Sequence, residues 1–250
     1  MGLHLCGGAA TPAGAFGWYG GAGVRCPAGV PPPSGTGPQA ARQDGGRAEG
    51  RGYGGAPRRR LTIEEAKKLL DAIKDDRLEA FWICALTLGL RRGELLGLRW
   101  TDIDFGNGHL AVRQTLQRAD GSLQLVDPKT DRSRRTVPVP EPTLAALRKH
   151  RRVQAAEQLA AGERWKDHGL VFSTSIGTPL EPGNLSTRWR KAREKAGLGW
   201  LRLHDLRHAC ASYLLACGAS PRTVMKTLGP DRTDHEHVRP RASRYRAGGS

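Results

Sequence analysis

The chain has 250 residues, enough for one good core or two small ones. It carries 40 lysines and arginines against 24 acidic residues, a formal net charge of +16. That excess points to a polyanionic partner, nucleic acid foremost, with a solubilising surface as the bland alternative. A membrane partner is disfavoured: no basic amphipathic helix stands out, and no segment is long and apolar enough to span a bilayer. The N-terminus lacks the charged-then-apolar layout of a secretory signal. The five cysteines, Cys6, Cys26, Cys84, Cys210 and Cys217, are odd in number and match no metal spacing, so neither metal nor cofactor is expected. Cys84, Cys210 and Cys217 sit in apolar helical runs and read as reduced core thiols of a cytoplasmic protein.

Residues 1–57 are rich in Gly, Ala and Pro, as in Gly20-Gly21-Ala22-Gly23 and Pro31-Pro32-Pro33, and show no helical or strand period. Too little apolar surface is available there to offset chain entropy, so a disordered tail is expected. From Leu61 the pattern turns helical. Thr62-Ile63-Glu64-Glu65 forms a capping box, and Ile63, Ala66, Leu69, Leu70 and Ile73 line one face. A second, nearly all-apolar helix over Leu78 to Leu88 is predicted as the central core helix. A β region follows, with turns at Gly106-Asn107-Gly108 and Asp120-Gly121 and a strand over His109 to Leu116. Leu123 to Val126 and Arg135 to Val139 flank a polar loop that carries Lys129. A long helix is predicted after Pro142, to about Ala161. Next come a short buried run at Leu170 and a helix capped by Asn184, with Leu185, Trp189, Ala192 and Ala196 inward. The helix after His204 ends near Gly218, and Ser220-Pro221 starts another that ends at Leu228-Gly229.

One motif carries the most chemistry. In His204-Asp205-Leu206-Arg207-His208 a histidine and an arginine stand three apart, on one helical face. An imidazole and a guanidinium fork so placed can grip and protonate a phosphate together. Upstream lie Gly89-Leu90-Arg91-Arg92-Gly93-Glu94 and Pro128-Lys129-Thr130, the latter followed by Arg134-Arg135-Thr136-Val137-Pro138. In type, order and spacing these three segments resemble the catalytic domain of the tyrosine recombinases, the phage-integrase family, from about Leu61 to Gly229. The resemblance implies a mostly helical α+β catalytic domain over residues 58–229 with a small antiparallel sheet. It implies duplex DNA as partner, a homotetramer on that DNA, and site-specific recombination by strand breakage and rejoining through a phosphotyrosine.

Carried over residue by residue, the resemblance makes Arg91 and Arg207 the clamp on the scissile phosphate, with Arg92 as competitor for the first place. Glu94 orients its arginine. Lys129 supplies a proton to the leaving oxygen, and His204 holds the phosphate and tunes proton transfer. His208 has a structural role, and Arg132, Arg134 and Arg135 contact DNA phosphates. The family's nucleophile, a tyrosine in a T-Y-x-H-V run about ten residues past a Leu-Gly pair, is not where it is due. After Leu228-Gly229 the residues offer no apolar helical face, and residues 230–250 read as an irregular tail. Tyr245 is the only tyrosine there, further along than the family's and outside its motif. Back-translating Asp234 to Tyr245 and reading one nucleotide on permits T-T-S-T-Y-A-H-V, which restores the motif. The same shift over Gly45 to Pro57 permits a sequence like the family's interdomain linker. The central segment thus reads as ancestral in frame and both ends do not, which also accounts for the absent N-terminal core-binding domain. Three readings follow: a recombinase inactive as written, a DNA-binding module without catalysis, and a decayed remnant.

Overall fold

The computed structural model describes residues 59–119, 121–127 and 134–229. The expected tails at 1–57 and 230–250, and Lys129, Arg132 and Tyr245, lie outside the described residues. No helix among the described residues is long and apolar enough to cross a membrane.

Helix α1 (Ile63–Ile73) starts at the predicted capping box. Glu65 N donates to the Thr62 hydroxyl at 3.2 Å, and Thr62 N donates to the Glu65 carboxylate at 3.0 Å. Ala66, Leu69 and Ile73 are its buried face. Helix α2 (Glu79–Leu88) is the core helix that its composition predicts, with Phe81, Trp82, Cys84 and Leu88 fully enclosed. Its rings seed the packing: Phe81 meets Phe172 edge-on at 5.0 Å, and Trp82 tilts against Trp189 at 5.1 Å. Gly89, at φ 59, ends α2 in the left-handed conformation that a glycine adopts without penalty.

A five-residue helix absent from the predicted elements, α3 (Arg92–Leu96), follows at once. It lies nearly backbone to backbone on a strand. A Cβ at Gly93 would sit 2.9 Å from Leu116 O, and one at Gly97 3.0 Å from Leu116 N and Thr115 Cα, so glycines favour this approach. Strands β1 (Ile103–Asp104), β2 (His109–Val112) and β5 (Arg135–Pro138) form a three-stranded antiparallel sheet in the order β1-β2-β5, and β3 (Thr115–Ala119) and β4 (Ser122–Val126) form a separate hairpin. The single strand expected from His109 to Leu116 is therefore two, broken at Arg113-Gln114. The cause is Gln114, which is buried, donates to the Gly97 carbonyl at 2.6 Å and accepts from Arg99. Satisfying those partners turns the chain out of the first sheet.

Helix α4 (Glu141–Ala161) begins one residue before Pro142, which stands in its first turn, where a missing N–H costs nothing. From its buried side His150 Nε2 meets the Val171 carbonyl at 2.8 Å, and Gln154 donates to Leu170 and Val171 carbonyls at 3.1 Å. Helix α5 (Pro182–Lys195) starts at Pro182 with Glu181 as N-cap, three residues before the expected Asn184 cap. Proline at the first position preset the helical φ there and outweighed the asparagine. Leu185, Trp189 and Ala192 face inward as predicted, and Gly197, at φ 69, follows the C-cap. Helices α6 (Asp205–Ala216) and α7 (Pro221–Leu228) close the domain, α7 packing on both α6 and β5. Cys84 and Cys210 are buried free thiols as expected, and Cys217 is half-buried at the α6 C-cap.

Candidate phosphate-binding site

The ends of three helices meet at one basic cavity of about 340 Å³. Arg91 reaches it from the N-cap of α3, His204 from the N-cap of α6, and Arg207 from the first turn of α6. Ala85, Leu90, Leu95 and Leu203 supply an apolar floor, and no carboxylate is among the lining side chains. An anion seated there would meet fixed cations against a low-dielectric wall, where charge attraction is strongest. Arg92, the alternative to Arg91, also lines the cavity and is exposed in the first turn of α3.

Arg91 is held from below. Glu94, three residues on in α3, takes the Arg91 backbone N–H at 2.9 Å and its Nη1 at 2.9 Å. The carboxylate is 7% exposed and the Arg91 side chain 31%, so the pair has a buried anchor and an accessible tip. Burial pushes the Glu94 carboxyl up, but hydrogen bonds and charge from Arg135, with further help from Arg91, hold it below the usual carboxylate range. Glu94 is thus an anion that orients a cation, the role expected for it.

Arg207 is 2% exposed. Its Nη1 donates to the carbonyls of Gly89 and Leu228, both at 2.8 Å, and its Nη2 to that of Gly229 at 3.0 Å. One guanidinium therefore satisfies the ends of α2 and α7, carbonyls that a helix leaves without internal donors. His204 is exposed at the rim, three residues before Arg207, and its ring meets that of His208 edge-on at 4.7 Å.

Arg135 departs from its expected place. Instead of facing DNA, its side chain is 5% exposed, with Nη1 and Nη2 on the two oxygens of Glu94 at 3.0 and 2.9 Å and Nε on the Thr227 carbonyl at 2.8 Å. All three of its nitrogens are engaged by Glu94 and Thr227, and unlike Arg207 it does not line the cavity. The signal was present in the strand period: Arg135 shares a sheet face with Val137, which is buried. Arg134, by contrast, is 57% exposed beside Asp127 and remains available to solvent.

A nucleophile is the part that the described residues do not provide. Their one tyrosine, Tyr213, donates its hydroxyl to the Leu61 and Thr62 carbonyls at 3.1 and 3.2 Å, and burial, followed by nearby Glu65 and Glu64, pushes its pKa up. It anchors α6 to the start of α1 and stays protonated.

The domain is thus a helical α+β fold with a basic cavity at converging helix ends. The Phage integrase family matches residues 59–246, and this chain belongs to that family. The matched span continues past Gly229, where the motif reading stops, and takes in Tyr245. A XerC-like tyrosine recombinase of Caldanaerobacter subterraneus subsp. tengcongensis is 36% identical over 181 residues, covering 68% of this chain and 46% of the relative. An integrase of Streptomyces ambofaciens is 31% identical over 195 residues, covering 73% and 48%. The chain thus spans about half the length of the curated relatives it matches. Among solved structures, the Tn1549 transposon integrase in complex with transposon right end DNA superposes with a TM-score of 0.59 at 23% identity, covering 72% of this chain and 60% of that one. The fold is that of the family.

Proposed function

We propose that this chain is the DNA strand-transfer domain of an integrase, acting on duplex DNA by site-specific breakage and rejoining through a phosphotyrosine. The observation that carries this is the convergence of Arg91, His204 and Arg207, 116 positions apart at the extremes (207 − 91), on one basic cavity within a phage-integrase domain. In this reading the two guanidinium groups neutralise the non-bridging oxygens as charge builds at phosphorus, and His204 holds the same group from the rim. Lys129, in the segment between β4 and β5, protonates the leaving oxygen, and Arg132 and Arg134 track the backbone. Tyr245 is the candidate nucleophile left by the sequence. The relatives described as integrases support duplex DNA as substrate, and the family reading extends to a homotetramer assembled on that DNA.

A second reading keeps the DNA and drops the chemistry. What favours it is that the described residues present no available tyrosine and that the family's T-Y-x-H-V run is missing beyond Gly229. The deciding experiment is incubation of the full chain with a nicked suicide duplex, followed by denaturing electrophoresis. A denaturant-resistant adduct lost in Tyr245→Phe establishes the recombinase reading with Tyr245 as nucleophile. Retained, salt-sensitive binding without an adduct establishes the module. Absence of both leaves the decayed remnant.

A further inference from the structure

The last turn of α7 presents three successive carbonyls, those of Thr227, Leu228 and Gly229. Two buried guanidinium groups hold all three: Arg135 takes the first, and Arg207 takes the second and third. Such carbonyls form the negative end of a helix and need donors from outside it. Arg207 also lines the phosphate cavity, so its double duty is built into that site. Arg135 is absent from the cavity lining, and yet it is more tightly enclosed than Arg91, with side-chain exposures of 5% and 31%.

Its connections explain why. The two terminal nitrogens of Arg135 engage both oxygens of Glu94, and its Nε turns the other way to the end of α7. Glu94 in turn fixes the backbone and the Nη1 of Arg91. Gly229 lies so close that a Cβ there would stand 3.0 Å from Arg135 Nη1, so the chain leaves α7 directly over this guanidinium. We propose that Arg135 is a positioning residue of the phosphate site: it sets the direction of Arg91 through Glu94 and, with the same planar fork, pins the end of α7 beside the cavity. Because Arg135 covers both carboxylate oxygens, Glu94 directs Arg91 without needing it as sole counter-ion. A lysine carries the same charge but has no rigid fork to meet two oxygens and a carbonyl at once. The proposal rests on the integrase reading above, in that the anion meant for the cavity is a DNA phosphate.

The test is a double-mutant cycle on the full chain, binding a short duplex at one low salt concentration. Arg135→Lys keeps the net charge, so a loss of binding in it is not a loss of long-range attraction. The expected result is about tenfold weaker binding in Arg135→Lys, shrinking to less than about twofold when the same change is made in Arg91→Ala. The same loss in both backgrounds overturns the proposal, since it means that Arg135 acts independently of Arg91. Should Arg135→Lys lose its circular-dichroism signature of folding, Glu94→Gln takes its place in the cycle with the same expectations. If the parent chain fails to bind duplex at low salt, the DNA reading falls on its own. The Arg135–Glu94–Arg91 link is then judged by the side-chain Nε–H resonance of Arg91. A shift in Arg135→Lys supports the link, and an unmoved resonance overturns it.

Discussion

Two arginines carried over from the same family pattern do different work at the residue scale. Arg91 is partly exposed and rests on a carboxylate that retains a second partner, whereas Arg207 is sealed in and joins the ends of two helices. Arg91→Ala is therefore expected to weaken duplex binding by about 1–3 kcal/mol and to change folding stability by less than about 1 kcal/mol. Arg207→Ala strips three buried carbonyls of their donor and is expected to cost roughly 3 kcal/mol of stability or more, in addition to any binding loss. Urea unfolding beside duplex titration separates the two, and equal stability losses in both variants would contradict these assignments. Glu94 adds a pH signature. Its folded pKa lies below the ordinary 4.5, so its contribution is complete above that pH and is lost as the pH falls below it. Glu94→Gln should remove this component from the acid limb of unfolding.

Elements, not single side chains, aim the site. Helix α3 carries Arg91 and Glu94 and is fixed by its glycine face against β3, where Gly97 leaves little room for a Cβ beside the Thr115–Leu116 backbone. Gly97→Ala requires the Thr115–Leu116 backbone or α3 to give way by a few tenths of an ångström. A cost of about 1–3 kcal/mol is expected, with a larger fractional loss of DNA binding than in an equally destabilised variant of the remote α1 core, such as Leu69→Ala. Helix α4 has a separate pH dependence. Burial first, and the Arg77 charge further down, hold the His150 imidazole below its ordinary 6.5 while it meets the Val171 carbonyl. The folded state thus keeps it neutral where the unfolded chain would protonate it. Its stabilising contribution is full above about 6.5 and declines as the pH falls from there towards the folded value. Stability measured by denaturant at pH 7 and pH 5.5 should fall in the parent chain and fall less in His150→Gln. Equal slopes would show that the imidazole takes no part.

On the scale of the whole molecule, charge dominates. A formal net charge of +16 spread over 250 residues makes any duplex affinity steeply dependent on salt, because bound cations release counterions from the DNA. Exposed Arg134 belongs to that general field, so Arg134→Ala is expected to weaken binding evenly across sequences and lower the salt slope by about one. Binding that does not respond to salt would count against every DNA reading. On the proposed integrase reading, a nucleophile has to come within attack distance of the clamped phosphorus. A one-nucleotide shift of the coding sequence beyond Gly229 permits T-Y-x-H-V, and a chain carrying that motif is expected to form a covalent adduct with a nicked duplex if the residues as written do not.

Much of this was legible in one dimension, for local reasons. The capping box at Thr62, the all-apolar run of α2, the inward face of α5 and the proline start of α7 each depend on residues within a turn or two of one another. Family membership was legible because three separated motifs agree in order and spacing. Misreadings arose where a distant partner decided the outcome. The strand after His109 broke because buried Gln114 answers to Gly97 and Arg99, neither of which is its sequence neighbour. The close approach of β3 to the glycines at 93 and 97 is likewise a contact between segments distant in sequence. Arg135 sits in a basic run that reads as a DNA contact, and only the fold, which brings Glu94 and the end of α7 within its reach, turned it inward. The sequence by itself determined the elements, the charge and the residue types able to hold a phosphate. Which of those cations face the cavity and which are spent inside was decided by the tertiary structure, because a guanidinium's role is set by the acceptors that folding brings within 3 Å of it.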